Sequence, residues 1–194
     1  MDLKGKGKID FRTLNIENSN NQKNFQQNKN KQQHSNNSDK IRKEIENIIQ
    51  KIKKGGYRDK EKDILRKELV SEYAKEIAEN LKISTSQLRI FFNELKRIEL
   101  KCETKNSEND ENLKIDKLHI ELYILKSKLK YKEGTREKKD EKNFKDFSYF
   151  IQENIEIIIK EEDIQSFKDF MVFFETVIGY IYGLSNNPKN KQKN

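Results

Sequence analysis

The sequence has one cysteine, one proline, two histidines and no tryptophan in 194 residues. A lone Cys102 excludes an internal disulfide framework, and a reducing cytoplasm is the compartment that suits it. Long apolar runs are also missing. The most apolar stretch, MVFFETVIGYIYGL over residues 171–184, is interrupted by Glu175 and falls short of the roughly 18 apolar residues that a membrane span needs. The opening MDLKGKGKID lacks the apolar core and small-residue cleavage site of a secretory signal. No membrane partner is expected.

Groups for catalysis are equally scarce. His34 falls in a polar tail, and His119 lies beside a leucine stripe, where a surface or boundary position is expected rather than a base. With one Cys, no HExxH pattern and acidic residues in solvated runs such as KEEDIQ, no metal site and no cofactor are expected. The glycines form no phosphate-cradling loop between a strand and a helix. Nothing in the sequence asks for an enzyme.

What the chain does have is charge. Charged residues make up 38% and hydrophobic residues only 32%, so the core must be economical. Lys and Arg number 41 against 33 acidic residues, a formal charge of +8 that favours polyanionic partners. Lys, Asn and Ile rise together in A- and T-rich genomes, so the total decides little. Only the placement of the charge carries information.

Residues 1–37 form an Asn-, Gln- and Lys-rich tail with too few apolar side chains to offset the entropy of ordering, and disorder is expected there. A second basic, disordered tail is expected over 185–194. Between them, residues 38–184 read as one helical-bundle domain with an acidic linker at about 103–112.

Within that domain the apolar spacing is helical throughout. Ser38 can cap a first helix carrying Ile41, Ile45, Ile48, Ile49 and Ile52, which Gly55 and Gly56 stop. A second, from about Asp59 to Leu81, presents Ile64, Leu65, Leu69, Tyr73 and Ile77. Ser84 and Gln87 form a capping box before the stripe Leu88, Phe91, Phe92, Leu95, Ile98. Leu118, Leu122, Leu125 and Leu129 mark a fourth helix, and Phe144, Phe147, Ile151, Ile155 and Ile158 a fifth. Phe167, Phe170, Met171, Phe174, Val177 and Ile181 mark a sixth. No useful segment alternates with period two. The expected fold is all-α, a compact bundle of five to six helices between disordered basic N- and C-terminal tails.

Two basic regions stand out. On the third helix Arg89, Asn93, Arg97 and Lys101 recur every four residues and share a face, with Lys96 adjacent and Glu94 and Glu99 available to balance them. In KSKLKYKEGTREKK, Lys126, Lys128, Lys130 and Lys132 surround a helix end, where lysines also suit the macrodipole. The dipole leaves Tyr131, Gly134 and Arg136 unexplained, whereas a glycine admitting a phosphate, with Tyr and Arg as donors, accounts for all three. Nucleic-acid binding and a helical protein-interaction scaffold both remain open at this point.

Three blocks, in order, resemble a known family. EYAKEIAENLKISTSQLRIFFNELKRI (72–98), LKSKLKYKEGTR (125–136) and FKDFMVFFETVIGYIYG (167–183) are similar to segments of the small helical subunit of type III-A CRISPR effector complexes, the Csm complexes. The resemblance implies a non-catalytic subunit of an RNA-guided antiviral defence complex. Its implied partners are the guide RNA, the target RNA, other Csm subunits and further copies of itself stacked in a filament. It leaves open whether the isolated chain is a monomer or a homodimer.

Because guide–target pairing reads the sequence, such a subunit need recognise only RNA backbone and shape. RNA contact is carried onto Arg89, Lys128 and Arg136 by motif position. Lys96, Arg97, Lys126 and Lys132 are added by proximity on the same faces. Tyr131 is either a phosphate donor or a core residue. Phe174 and Tyr180 are assigned to the core or to a neighbouring subunit, and Glu175 to a structural ion pair.

Overall fold

The structure is a computed structural model that describes residues 39–103, 111–135 and 138–185. The chain divides into two units, Met1–Lys40 and Ile41–Asn194, and only residues 39 and 40 of the first are described. The expected Ser38 cap, both tails, most of the acidic linker and Arg136 lie outside the described residues.

Helix α1 (39–55) buries Ile45, Ile48, Ile49 and Ile52, as their spacing predicts. It stops where the backbone turns left-handed: Gly56 has φ +66°, and its N–H donates to Ile52 O at 2.7 Å. Glycine reaches that conformation without steric cost.

The next segment differs from the sequence expectation of a helix beginning near Asp59. Residues 57–66 form a small hairpin in which β1 (Arg58–Asp59) pairs antiparallel with β2 (Ile64–Leu65), Arg58 opposite Leu65. Three local and long-range forces outweigh the helical pattern. The Asp59 carboxylate accepts the Glu61 and Lys62 N–H groups and so folds the turn. Asp63 closes it at φ +52°, a region that Asp tolerates better than most residues. Arg58 then ties the hairpin to the sixth helix by donating to buried Asp169 at 2.7 Å. Ile64, expected in a core stripe, is 55% exposed as a result.

A π-helical segment, Leu69–Tyr73, leads into α2 (Ala74–Asn80). Helix α3 (Thr85–Glu103) starts as expected: Ser84 Oγ accepts the Gln87 N–H at 3.3 Å. Helices α4 (Glu111–Gly134), α5 (Lys138–Glu161) and α6 (Ile164–Ser185) complete the set. Asp163 caps α6 by accepting the Gln165 N–H at 2.9 Å. The fold is an all-α bundle; among the described residues its only sheet is the two-residue ladder.

Helix α4 packs against both α3 and α5, and α6 packs against α2, α3 and α5. At the centre, Phe91, Phe144, Phe147, Phe150, Phe170, Phe173 and Phe174 form a continuous aromatic cluster, with Phe170 and Phe174 stacked 5.8 Å apart. Burying each ring contributes about 1.5–3 kcal/mol, which lets a chain poor in apolar residues hold together. Polar groups that enter this core are matched: Tyr57 donates to Asn154 at 2.7 Å, and Gln152 to Ser148 at 2.8 Å.

Candidate nucleic-acid interface

The two basic regions meet where α3 and α4 pack. Lys128 Nζ donates to Glu94 Oε2 at 2.9 Å, and Arg97 donates to the same oxygen at 3.1 Å. Arg97 also lies 3.5 Å from Glu121 on α4, which Lys101 contacts at 2.5 Å. A chain of ion pairs, Lys128–Glu94–Arg97–Glu121–Lys101, therefore runs along the α3–α4 seam. The bond from Lys128, with help from Arg97, holds the Glu94 carboxyl below its ordinary range against partial desolvation. Lys101 does the same for Glu121.

The lysines of α4 do not share one face. Residues two apart on a helix point in nearly opposite directions. Lys126 accordingly turns to α5 and pairs with Glu156, whereas Lys128 turns to α3. Lys132 lies on the α3 side, its ammonium 5.0 Å from the centre of the Phe91 ring. Lys130 pairs with Glu133 at 3.1 Å.

On α3, Lys96 pairs with Glu99 at 3.0 Å and sits 5.6 Å over the Phe92 ring. Arg89 is exposed and donates to the Tyr182 hydroxyl of α6 at 3.2 Å. The structure thus brings Arg97 and Lys128 together, with Lys132 further along the same seam of α4. Lys126 lies across α4, Arg89 lies at the α3–α6 edge, and Arg136 is outside the described residues.

Tyr131 is 73% exposed at the end of α4, so the core alternative for it is corrected. Its position on α4 is opposite the leucine stripe, which leaves it nothing to pack on. Phe174 is fully buried, whereas Tyr180 is partly exposed. Glu175, expected in a structural ion pair, is exposed and makes no such pair among the described residues. Sequence reasoning identified Glu94 and Glu99 as balancing charges. It missed Glu121 and Glu156, which meet Arg97, Lys101 and Lys126 only through helix packing.

Among the described residues no group of three His, Cys, Asp or Glu could hold a metal ion, and no helix is long and apolar enough to cross a membrane. His119 is half-buried, and its Nε2 has no hydrogen-bond partner among them. Chemically, the region offers cations for exchange with an anionic backbone, beside the exposed ring of Tyr131.

A family model described as Csm2 Type III-A matches residues 64–183, well over half of the chain and all the basic positions above. No curated protein and no solved structure matches. The chain therefore belongs to the Csm2 Type III-A family, the small subunit of the type III-A CRISPR complex.

Proposed function

We propose that this subunit is non-catalytic, stacks in copies along the paired guide and target RNA, and contacts the RNA backbone without reading sequence. Its partners are then those two RNAs, the other Csm subunits and further copies of itself, in the cytoplasm. The observation that carries the RNA part is the last third of α4, where Tyr131 is exposed and Lys126, Lys128, Lys130 and Lys132 put positive charge on both flanks of the helix. Their carboxylate partners are no obstacle. Exposed ion pairs contribute only about 0–1 kcal/mol, whereas a phosphate offers charge-assisted bonds and releases counterions. Arg89, Lys96, Arg97 and Arg136 extend the same contact.

One observation favours a scaffold that does not touch RNA: Lys96, Arg97, Lys126 and Lys128 all have acidic partners within the chain. The two readings separate in a binding experiment. Lys126→Ala, Lys128→Ala and Arg136→Ala combined should lower affinity for single-stranded RNA well beyond about tenfold at low salt, with little change in melting temperature. Lys138, Lys139 and Lys142 changed to Ala remove the same charge beyond the motif. Equal losses from both triples would reduce the effect to net charge, and no loss from either would favour the scaffold. Affinity of the unaltered chain should fall with salt at a slope of roughly −0.7 per phosphate contacted.

A further inference from the structure

The end of α1, the hairpin and the residues leading into the π-helical segment enclose a surface pocket of about 370 Å³. It shares no residue with the α3–α4 seam, and residues 55–63 precede the span that the family model matches. Lys and Arg outnumber Asp and Glu over residues 51–67, and the fold gathers Arg58, Lys60, Lys62, Arg66 and Lys67 around this one concavity. Two of the five are already paired: Arg58 with Asp63 and Asp169, and Lys62 with Asp59 at 3.1 Å. Lys60 and Lys67 are exposed and make no ion pair among the described residues.

Arg66 is fixed in place. Its side chain is 18% exposed, its Nη1 donates to Gly56 O at 2.9 Å, and its Nε lies 4.0 Å from Glu68. A Cβ on Gly55 would collide with that Nη1, so the glycine is what leaves room for the guanidinium. Nη2 makes no hydrogen bond among the described residues. A preorganised fork with an unused amino group suits a phosphate. The wall also holds Ile64, large, apolar and 55% exposed.

These features select among anions. Single-stranded nucleic acid is held in a groove that tracks its backbone, with aromatic rings for its bases. Here the cations converge on one concavity, and no side chain in the wall is aromatic. An inorganic anion would leave Ile64 without a role. The volume lies at the lower end of the range for small-molecule sites, where a few polar groups orient a ligand against an apolar wall. Of the two carboxylates present, Asp59 is engaged by Lys62 and by the N–H groups of the turn. Glu68 remains to accept from a sugar hydroxyl.

We propose that this pocket binds a nucleoside polyphosphate, with its phosphates on Lys60, Arg66 and Lys67 and its nucleoside against Ile64. The contact uses none of the α4 lysines, so it stands or falls separately from the RNA reading.

Isothermal titration of the full chain without RNA, with ATP as the probe, tests this. ATP should bind at least about tenfold tighter than AMP or adenosine, because its phosphate chain makes most of the charge-assisted bonds. It should also bind tighter than inorganic triphosphate, through the contact with Ile64. Lys60→Ala with Lys67→Ala should weaken ATP binding about tenfold or more, whereas Lys126→Ala with Lys128→Ala should leave it unchanged. Ile64→Ser should weaken ATP about three- to tenfold and leave triphosphate alone. Gly55→Ala should lower ATP affinity by pushing the Arg66 guanidinium aside. All four variants should keep the helical circular dichroism of the unaltered chain. Absence of ATP binding overturns the inference. So does an equal loss from the α4 pair, which would reduce the effect to net charge. Equal affinity for ATP and triphosphate, with no effect of Ile64→Ser, overturns it too by making the pocket a bare anion patch.

Discussion

Glu94 on α3 binds Lys128 on α4 and Arg97 on its own helix through a single carboxylate oxygen, at 2.9 and 3.1 Å. A phosphate taking hold of Lys128 or Arg97 competes with that oxygen for their charge. Glu94→Gln keeps the shape and removes the charge, so it should raise RNA affinity by about three- to tenfold at low salt. An unchanged or lower affinity would show that the seam serves packing alone. The same substitution has a signature in acid. The folded pKa of Glu94 lies below its ordinary 4.5. Its stabilising contribution is therefore complete above that value and is lost as pH falls through the folded pKa. Thermal melts below pH 4.5 should fall less steeply for Glu94→Gln than for the unaltered chain.

A buried hydrogen bond makes a second prediction. Tyr57 and Asn154 are both almost fully buried, and the hydroxyl donates to Asn154 Oδ1 while Asn154 Nδ2 donates to Phe150 O at 2.7 Å. Tyr57→Phe leaves the amide oxygen without its donor in an apolar site, at a cost of about 1–3 kcal/mol. Chemical denaturation should show this as a lower midpoint with the same slope, and RNA binding below the transition should not change.

The helical stripes were legible because burial follows spacing. Leu88, Phe91, Leu95 and Ile98, or Phe167, Phe170, Phe174 and Val177, could face a core only as helices, and all are buried. The hairpin at 57–66 was not legible, because its long-range anchor, Asp169, lies 111 residues from Arg58. Its Ile64 and Leu65 look like the start of the stripe that Leu69 continues. At the candidate site, Glu94 and Glu99 were legible as balancing charges, and the structure pairs them with Arg97 and Lys96 three residues away. Lys126–Glu156 and Lys101–Glu121 depend on which helices are neighbours, which no local pattern encodes.

The tail expectation gives a third prediction, independent of the site. Residues 1–37 contain Ile9, Phe11 and Leu14 but no helical or strand periodicity. Their removal should leave the melting temperature and the helical signal per molecule nearly unchanged, while RNA affinity falls modestly with the lost lysines. A large drop in melting temperature would mean that the segment packs on the bundle.

The last prediction concerns an asymmetric pair between α1 and α5. Arg42 donates to Asp146 at 3.3 Å and to Glu46 at 3.1 Å, and its guanidinium lies 3.4 Å over the centre of the Tyr149 ring. Burial raises the Asp146 carboxyl above its ordinary value despite Arg42, so desolvation outweighs the attraction. The two partners should then respond differently to removal. Arg42→Ala strands a buried carboxylate and loses the ring contact, at about 1–3 kcal/mol. Asp146→Asn removes the group that burial penalises, while Arg42 retains Glu46 and Tyr149, so it should be neutral or slightly stabilising near pH 7. The pH dependence runs opposite to that of Glu94. With a raised folded pKa, stability is fully present below the ordinary 3.8 and is lost as pH climbs through the folded value, because the unfolded chain gives up its proton first. Asp146→Asn should abolish that fall, and Arg42→Ala should deepen it. Melting temperatures of the three proteins across that window decide the matter: equal losses from both substitutions would make the pair a net stabiliser and reverse the argument.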